Sequence, residues 1–279
     1  MWVSVESATE WRASLFSVNK GPRYWLVLAL IGVIGGVLSG AFGIGGGIIM
    51  VPLLVSLARL DQRSAAATSL VAIVPTAVVG SITYFVNDEI DLAAGGLVSV
   101  GAVAGAIIGT RLLRRIPLTW LRGMFIALIV VVAVRMLLVA PERGASVELT
   151  VWVALGYVAL GLAMGVASGL FGIGGGVIAV PALVAVFGAS DLVAKGTSLL
   201  VMIPTGVAGT VSNARAGVVD VRAGLVVGVA ATAASVPGVA LALIMPPRLS
   251  GVLFAALLLA AAAQLTVAAL RSGPRGRAS

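Results

Sequence analysis

Two stretches of this chain place runs of backbone amides, rather than reactive side chains, where chemistry could occur. Gly43, Gly45, Gly46 and Gly47 follow Ser39, and Gly172, Gly174, Gly175 and Gly176 follow Ser168, inside two copies of one phrase, Gly36 to Pro52 and Gly165 to Pro181. Thirteen of the seventeen positions are identical, at a constant spacing of 129 residues. Glycine admits positive φ and close approach of the backbone. Successive free N–H groups then form a concavity that holds an anion, and a helix restarting after the glycines points its positive end at the same spot. The same spacing repeats Thr68-Ser69 at Thr197-Ser198, whose hydroxyls are candidate donors, and Pro52 and Pro75 at Pro181 and Pro204, which interrupt helical hydrogen bonding and serve as candidate gating points. Each feature has a second reading. Glycines also let membrane helices pack closely, and Ser and Thr also bond back to their own helix carbonyls.

What is missing narrows the chemistry further. The chain has no Cys and no His, which removes thiolate chemistry, imidazole bases and the commonest metal ligands together. All ten carboxylates, including the repeat-paired Asp91 and Asp220, fall in loops or at segment ends, and Arg135 is the one basic residue well inside an apolar run, placed to snorkel to the surface. A membrane-embedded enzyme would need acids, bases or metal ligands at depth. No catalytic residue, metal or cofactor is therefore expected. A proton relay through the protein has no ionisable residue to use, so any coupled proton would travel on a weak-acid anion itself.

The elements that must position these groups follow from composition. Hydrophobic residues make up 60% of the chain and charged ones 10%, with a mean hydropathy of +1.17, whereas a soluble domain carries about 25% charge. The solvent is a bilayer, and the expected fold is an all-α polytopic bundle. Apolar segments lie at roughly 24–58, 65–86, 92–113, 118–140, 151–187, 196–213, 223–245 and 250–270. The first and fifth are too long. An unbroken helix over 24–58 would extend about 52 Å, against a hydrocarbon core of about 30 Å. A break at Gly43 to Gly47 leaves arms of about 18 and about 13 residues, folded as a hairpin with both ends on one side.

Three crossings after each hairpin bring the second half in from the opposite face, so two inverted repeats are expected, with eight to ten membrane segments. Charge tests this. Inversion puts 14 of the 18 basic residues on the cytoplasmic side, Arg59, Arg63, Arg111, Arg114, Arg115, Arg215 and Arg222 among them, and leaves Lys195 and Arg248 outside with Asp88, Glu89 and Asp91. Eight simple crossings in parallel repeats would leave 8 of 18 inside and no bias, so inversion is preferred. The organisation is then a cytoplasmic segment over 1–23, a first repeat over 24–140, a linker over 141–150, a second repeat over 151–270 and a basic tail over 271–279. Trp2, Val5, Trp11, Leu15 and Phe16 allow either a short interfacial helix or a disordered leader. A cleavable signal peptide is not expected. Both termini are expected in the cytoplasm.

The duplicated Gly-x-x-Ser-Gly-x-Phe-Gly-Ile-Gly-Gly-Gly with its following Val-Pro, then Thr-Ser-Leu and a proline, resembles the TauE/SafE family of sulfite and organosulfur-compound exporters, the 4-toluene sulfonate uptake permease group. The resemblance spans about residues 26–270. It implies a multi-pass inner-membrane permease moving sulfite, sulfonates or related sulfur anions, generally outward. The family motif falls on Ser39, Gly40, Phe42, Gly43, Gly45, Gly46, Gly47 and Pro52, and again on Ser168, Gly169, Phe171, Gly172, Gly174, Gly175, Gly176 and Pro181. The implied partners are a small anion and the lipid bilayer. The net charge of +8 is accounted for by topology and anionic lipid rather than by nucleic acid. A passive anion channel and a non-transport assembly protein stand as the other readings, and the sequence does not give the oligomeric state. Valine at Gly46 or Gly175 is expected to abolish transport, and Gly21, Gly101 and Gly273 to tolerate change better.

Overall fold

A computed structural model describes residues 21–138 and 150–271. The expectations for the N-terminal segment, most of the linker, the tail beyond Arg271 and the Arg135 side chain lie outside the described residues. The described chain is helical, without a strand: α1 Pro22–Phe42, α2 Gly47–Ser56, α3 Gln62–Val86, α4 Leu92–Arg115, α5 Leu118–Leu138, α6 Val151–Phe171, α7 Gly176–Ala185, α8 Asp191–Arg215, α9 Val221–Ile244 and α10 Pro247–Arg271. Seven of these, α1, α3, α4, α6, α8, α9 and α10, are long and apolar enough to cross a membrane.

Both long apolar segments break at the glycines. The arms of the first are 21 and 10 residues, about 31 Å and 15 Å, so one arm can span a leaflet pair and the other cannot. The first arm exceeds the expected length because Pro22 starts α1 early, proline being at home in a first helical turn, and the second ends at Ser56. Helices α3 and α8 likewise begin ahead of their apolar runs. Asp61 accepts from the Arg63 and Ser64 amides and Ser190 from the Val193 amide, so capping starts each helix in polar sequence.

Packing between the halves follows small residues. Gly101, Gly105 and Gly109 of α4 lie against the carbonyls of Val158, Leu162 and Val166 on α6, and Gly161, Gly165 and Gly169 of α6 lie against Val98, Ala102 and Ala106 on α4. Gly32, Gly36 and Gly40 of α1 meet Val227, Ala231 and Ser235 on α9 in the same manner. Numbers rise together in both pairs, so each pair runs parallel, with backbones in the close contact that small residues allow. This corrects the expectation for Gly101: a Cβ there would strike the Val158 carbonyl and sit 2.8 Å from the Leu162 nitrogen. A Cβ on Gly21 would meet nothing within 4 Å among the described residues, and Gly273 lies outside them.

The equivalent helices α3 and α8 pack against each other in the opposite sense. Gly80 meets Leu199, Gly206 meets Val74 and Gly209 meets Leu70, so the numbers run counter and the helices are antiparallel. Pro75 and Pro204, inside these helices, fall at the middle of the crossing. Aromatic stacking repeats the exchange between halves: Phe42 stacks on Phe254 at 5.4 Å and Phe171 on Phe125 at 5.1 Å. Each motif phenylalanine is thus held by the other repeat.

Candidate functional site

The two glycine turns meet. Gly47 lies against the Gly172 carbonyl and Ile173, and Gly176 against the Gly43 carbonyl and Ile44. A side chain at either position would push the turns apart. Within each turn three glycines have positive φ, at +67°, +69° and +71° for Gly43, Gly45 and Gly46 and +70°, +76° and +88° for Gly172, Gly174 and Gly175. L-residues rarely occupy that region, which explains the glycines chemically.

The turns leave donors over. Gly43 N–H donates to Ser39 O at 2.8 Å, and Ile49 and Met50 N–H donate to Gly46 O at 3.1 and 2.9 Å. Between them, the Ile44, Gly45 and Gly46 amides have no hydrogen-bond acceptor among the described residues. Gly46 caps α2 without any side-chain bond, so the Gly47 and Ile48 amides of its first turn are open as well among the described residues. The second turn is built alike, with Gly172 N–H to Ser168 O at 2.8 Å and Ile178 and Ala179 N–H to Gly175 O. The Ser39 and Ser168 hydroxyls are fully buried and have no hydrogen-bond partner among the described residues. An unmet buried hydroxyl is costly, and here it occurs twice, at equivalent places.

Thr68-Ser69 and Thr197-Ser198 divide their work. Ser69 donates to the Gly172 carbonyl at 2.6 Å, and Ser198 donates to the Gly43 carbonyl, each also near a carbonyl of its own helix, Ala66 and Lys195 respectively. These serines fasten each turn to the opposite repeat. Thr68 and Thr197 instead accept from the backbone N–H of Asp220 and Asp91, at 3.2 and 2.9 Å. They lie away from the turns, at the starts of α9 and α4. Pro52 and Pro181 are inside α2 and α7, where the Pro52 carbonyl accepts from Ser56 Oγ at 2.8 Å.

Asp91 and Asp220 are capping residues, accepting from the Ala94 and Ala223 amides at 2.9 and 3.0 Å. Asp91→Ala should lower stability by about 1 kcal/mol while Asp91→Asn, an equally good cap, should cost a few tenths. Thermal unfolding in detergent would show the difference, and equal losses would remove the capping role.

Sequence reasoning missed two parts of the site. Ile73 and Met202, equivalent in the repeat and both fully buried, fill the space where Gly45 and Gly174 face each other. They plug the centre. Lys195, placed on the outer side by the inverted topology, is buried within the protein: Nζ donates to Asp191 Oδ2 at 2.6 Å and to Ser250 Oγ at 2.7 Å, and its backbone abuts Gly43. A buried ionisable group thus stands beside the first glycine turn. The i, i+4 spacing of Asp191 and Lys195 was the available signal. Nearby, in the α3–α4 turn, Glu89 is held above the ordinary carboxylate range by partial burial and then by Asp191 and Asp88. Its folded form binds a proton more tightly than the unfolded one, so this corner gains stability as pH falls through that raised value.

The comparisons with known proteins agree on a class. The chain is 26% identical over 220 residues to the probable membrane transporter protein YunE of Bacillus subtilis, covering 70% of this chain and 80% of the relative. It is 30% identical over 199 residues to the probable membrane transporter protein YdhB of the same organism, covering 70% and 79%. It also matches the probable membrane transporter protein MamO of Magnetospirillum gryphiswaldense at 31% over 140 residues, 47% of this chain and 22% of that larger protein. The profile described as Sulfite exporter TauE/SafE matches residues 3–136 and 157–279, both copies of the glycine phrase included. With paired broken helices in a bundle of apolar spans and this match across both halves, the chain belongs to the TauE/SafE family of membrane transporters.

Proposed function

We propose that this protein is an inner-membrane permease that moves a small sulfur-containing oxyanion, sulfite or a sulfonate, outward, holding it between the two glycine turns. One observation carries the reading: the turns abut, and each presents open amides, an uncapped helix start and an unpartnered buried serine. In a bilayer such unpaired backbone is tolerated only where protein or a polar cavity meets it. An oxyanion offers three or four acceptors to these donors, and helix N-termini favour its charge. Ser39, Gly43, Gly45, Gly46 and Gly47 and their counterparts Ser168, Gly172, Gly174, Gly175 and Gly176 would bind it. Ser69, Ser198, Thr68 and Thr197 would hold the turns and their supporting helices in register.

The proposed topology is inverted, with both termini cytoplasmic. Antiparallel α3 and α8 support it, because equivalent helices related by an axis along the membrane normal would run parallel. Parallel α1 and α9, and parallel α4 and α6, suit hairpins entering from opposite faces. Alternating access would require Ile73 and Met202 to leave the centre, with Pro75 and Pro204 as natural pivots.

Flux of radiolabelled sulfite, sulfate, thiosulfate and methanesulfonate in proteoliposomes, with and without a pH gradient, tests the proposal. Saturable counterflow of a sulfur oxyanion is expected. Non-saturating flux would mark a passive channel, and no flux or anion binding would mark an assembly protein. Because Asp91 and Asp220 cap helices, Asp91→Asn and Asp220→Asn should leave any proton coupling unchanged; coupling lost with exchange intact would refute a proton carried on the substrate.

A further inference from the structure

A second concave site lies apart from the glycine turns, between the C-terminal ends of α4 and α8. Its volume is about 520 Å³, and Arg111 and Arg114 from α4 meet Arg215 from α8 around it, with Val211 and Ser212 in its wall. Among the described residues no carboxylate lines it and none of the three arginines forms an ion pair. Arg114 Nη1 is buried without a hydrogen-bond partner among the described residues. A guanidinium nitrogen buried and unmet is an open demand for an acceptor.

Two simpler accounts compete. Arginine at a helix C-terminus complements the dipole, and arginine on the cytoplasmic side serves topology. The dipoles of two helix ends amount to roughly one negative charge together. Three guanidiniums exceed that by about two charges. Topology, for its part, asks only that arginines stay on one side, not that three converge on one cavity from different repeats. The positions equivalent in the repeat, Val86, Ala240 and Leu243, are apolar, so the cluster is absent from the opposite end of the pseudo-symmetric bundle.

We propose that this cavity binds the multi-oxygen head of an anion, a sulfate, sulfonate or phosphate group, by fork-like guanidinium contacts. The cavity also has a connection inward. Ser212 Oγ and Thr110 Oγ1 are 2.7 Å apart at its wall, and the Thr110 backbone packs on Gly169 of the second glycine phrase. If the glycine turns are the transport site, the cavity is an antechamber that concentrates anions beside the second glycine phrase. That role rests on the permease reading, but the binding does not. The same chemistry would also take the phosphate of an anionic lipid.

The chain has no cysteine, so Val211→Cys labelled with bimane gives a probe in the cavity wall alone. Sulfate titration should shift its emission, and Arg111→Gln with Arg215→Gln, both exposed positions, should raise the half-saturating concentration at least tenfold. Arg222→Gln, exposed on α9, should change nothing. Gly46→Val should keep the sulfate response while losing flux, which separates this site from the glycine turns. A response to phosphatidylglycerol vesicles but not to sulfate, lost in the same double variant, assigns the cavity to a lipid phosphate and supports the chemistry. An emission unmoved by both probes, or moved equally in the double variant, overturns it.

Discussion

Gly46→Val and Gly175→Val should each abolish anion flux while the protein still inserts and purifies as a monodisperse species. Each glycine is the N-cap of a short arm, at φ of +71° and +88°. A β-branched residue there is a steric outlier, costing at least the 1–2 kcal/mol that the left-handed region imposes on any L-residue. Contacts add to this. A Cβ on Gly46 would meet the Gly35 backbone carbonyl and sit 2.9 Å from Met50 Cε, and one on Gly175 would sit 2.9 Å from the Met164 carbonyl oxygen. The turn must then rotate, and its amides leave the shared centre. The seven apolar spans are unchanged, so insertion should persist. Alanine should give an intermediate loss, since it keeps the φ penalty and drops the branching. Wild-type flux in both valine variants would contradict the role assigned to the turns.

Lys195→Met should lower stability by about 3–5 kcal/mol, the usual effect of leaving one buried charge without its partner. Its side chain is 2% exposed and that of Asp191 is 10% exposed, so water can do little for the carboxylate that remains. The pair ties the first turn of α8 to Ser250 on α10 and stands behind Gly43. Asp191→Asn combined with Lys195→Met should recover most of the loss, because two neutral groups replace an unpaired ion. Thermal unfolding of the single and double variants in detergent measures this. A single variant as stable as the native protein would show the pair to be solvated after all. The equivalent residue in the first repeat is Ala66, so the ion pair supports one turn only, and its removal should loosen the Gly43 turn selectively.

The sequence carried the break points because the reason for them is local. A helix too long for the bilayer must stop, and only glycine accepts three left-handed residues in four. It also marked Ser39 and Ser168, whose hydroxyls are unpartnered among the described residues. What it did not carry was partnership between the halves. A constant spacing says that Ser69 and Ser198 are equivalent, but not that each fastens the other repeat's turn. The starts of α3 and α8 lay three and five residues earlier than the apolar runs, since caps rather than hydropathy set them. Gly101 was misjudged for a different reason. Its spacing of four to Gly105, repeated from Gly105 to Gly109, is a packing signal in membranes. The burial of Lys195 was not legible because charge counting assigns sides, not burial.

The central claim is that both turns face one anion. Ser39→Cys and Ser168→Cys, each the sole thiol in an otherwise cysteine-free chain, allow a direct test by rate of labelling with a small maleimide in methanesulfonate or sulfate, neither of which reacts with the label. A shared pocket predicts that the same anion slows both labelling reactions with the same half-protecting concentration, although the two residues belong to opposite repeats. Protection of one position alone, or of both at different concentrations, would contradict it.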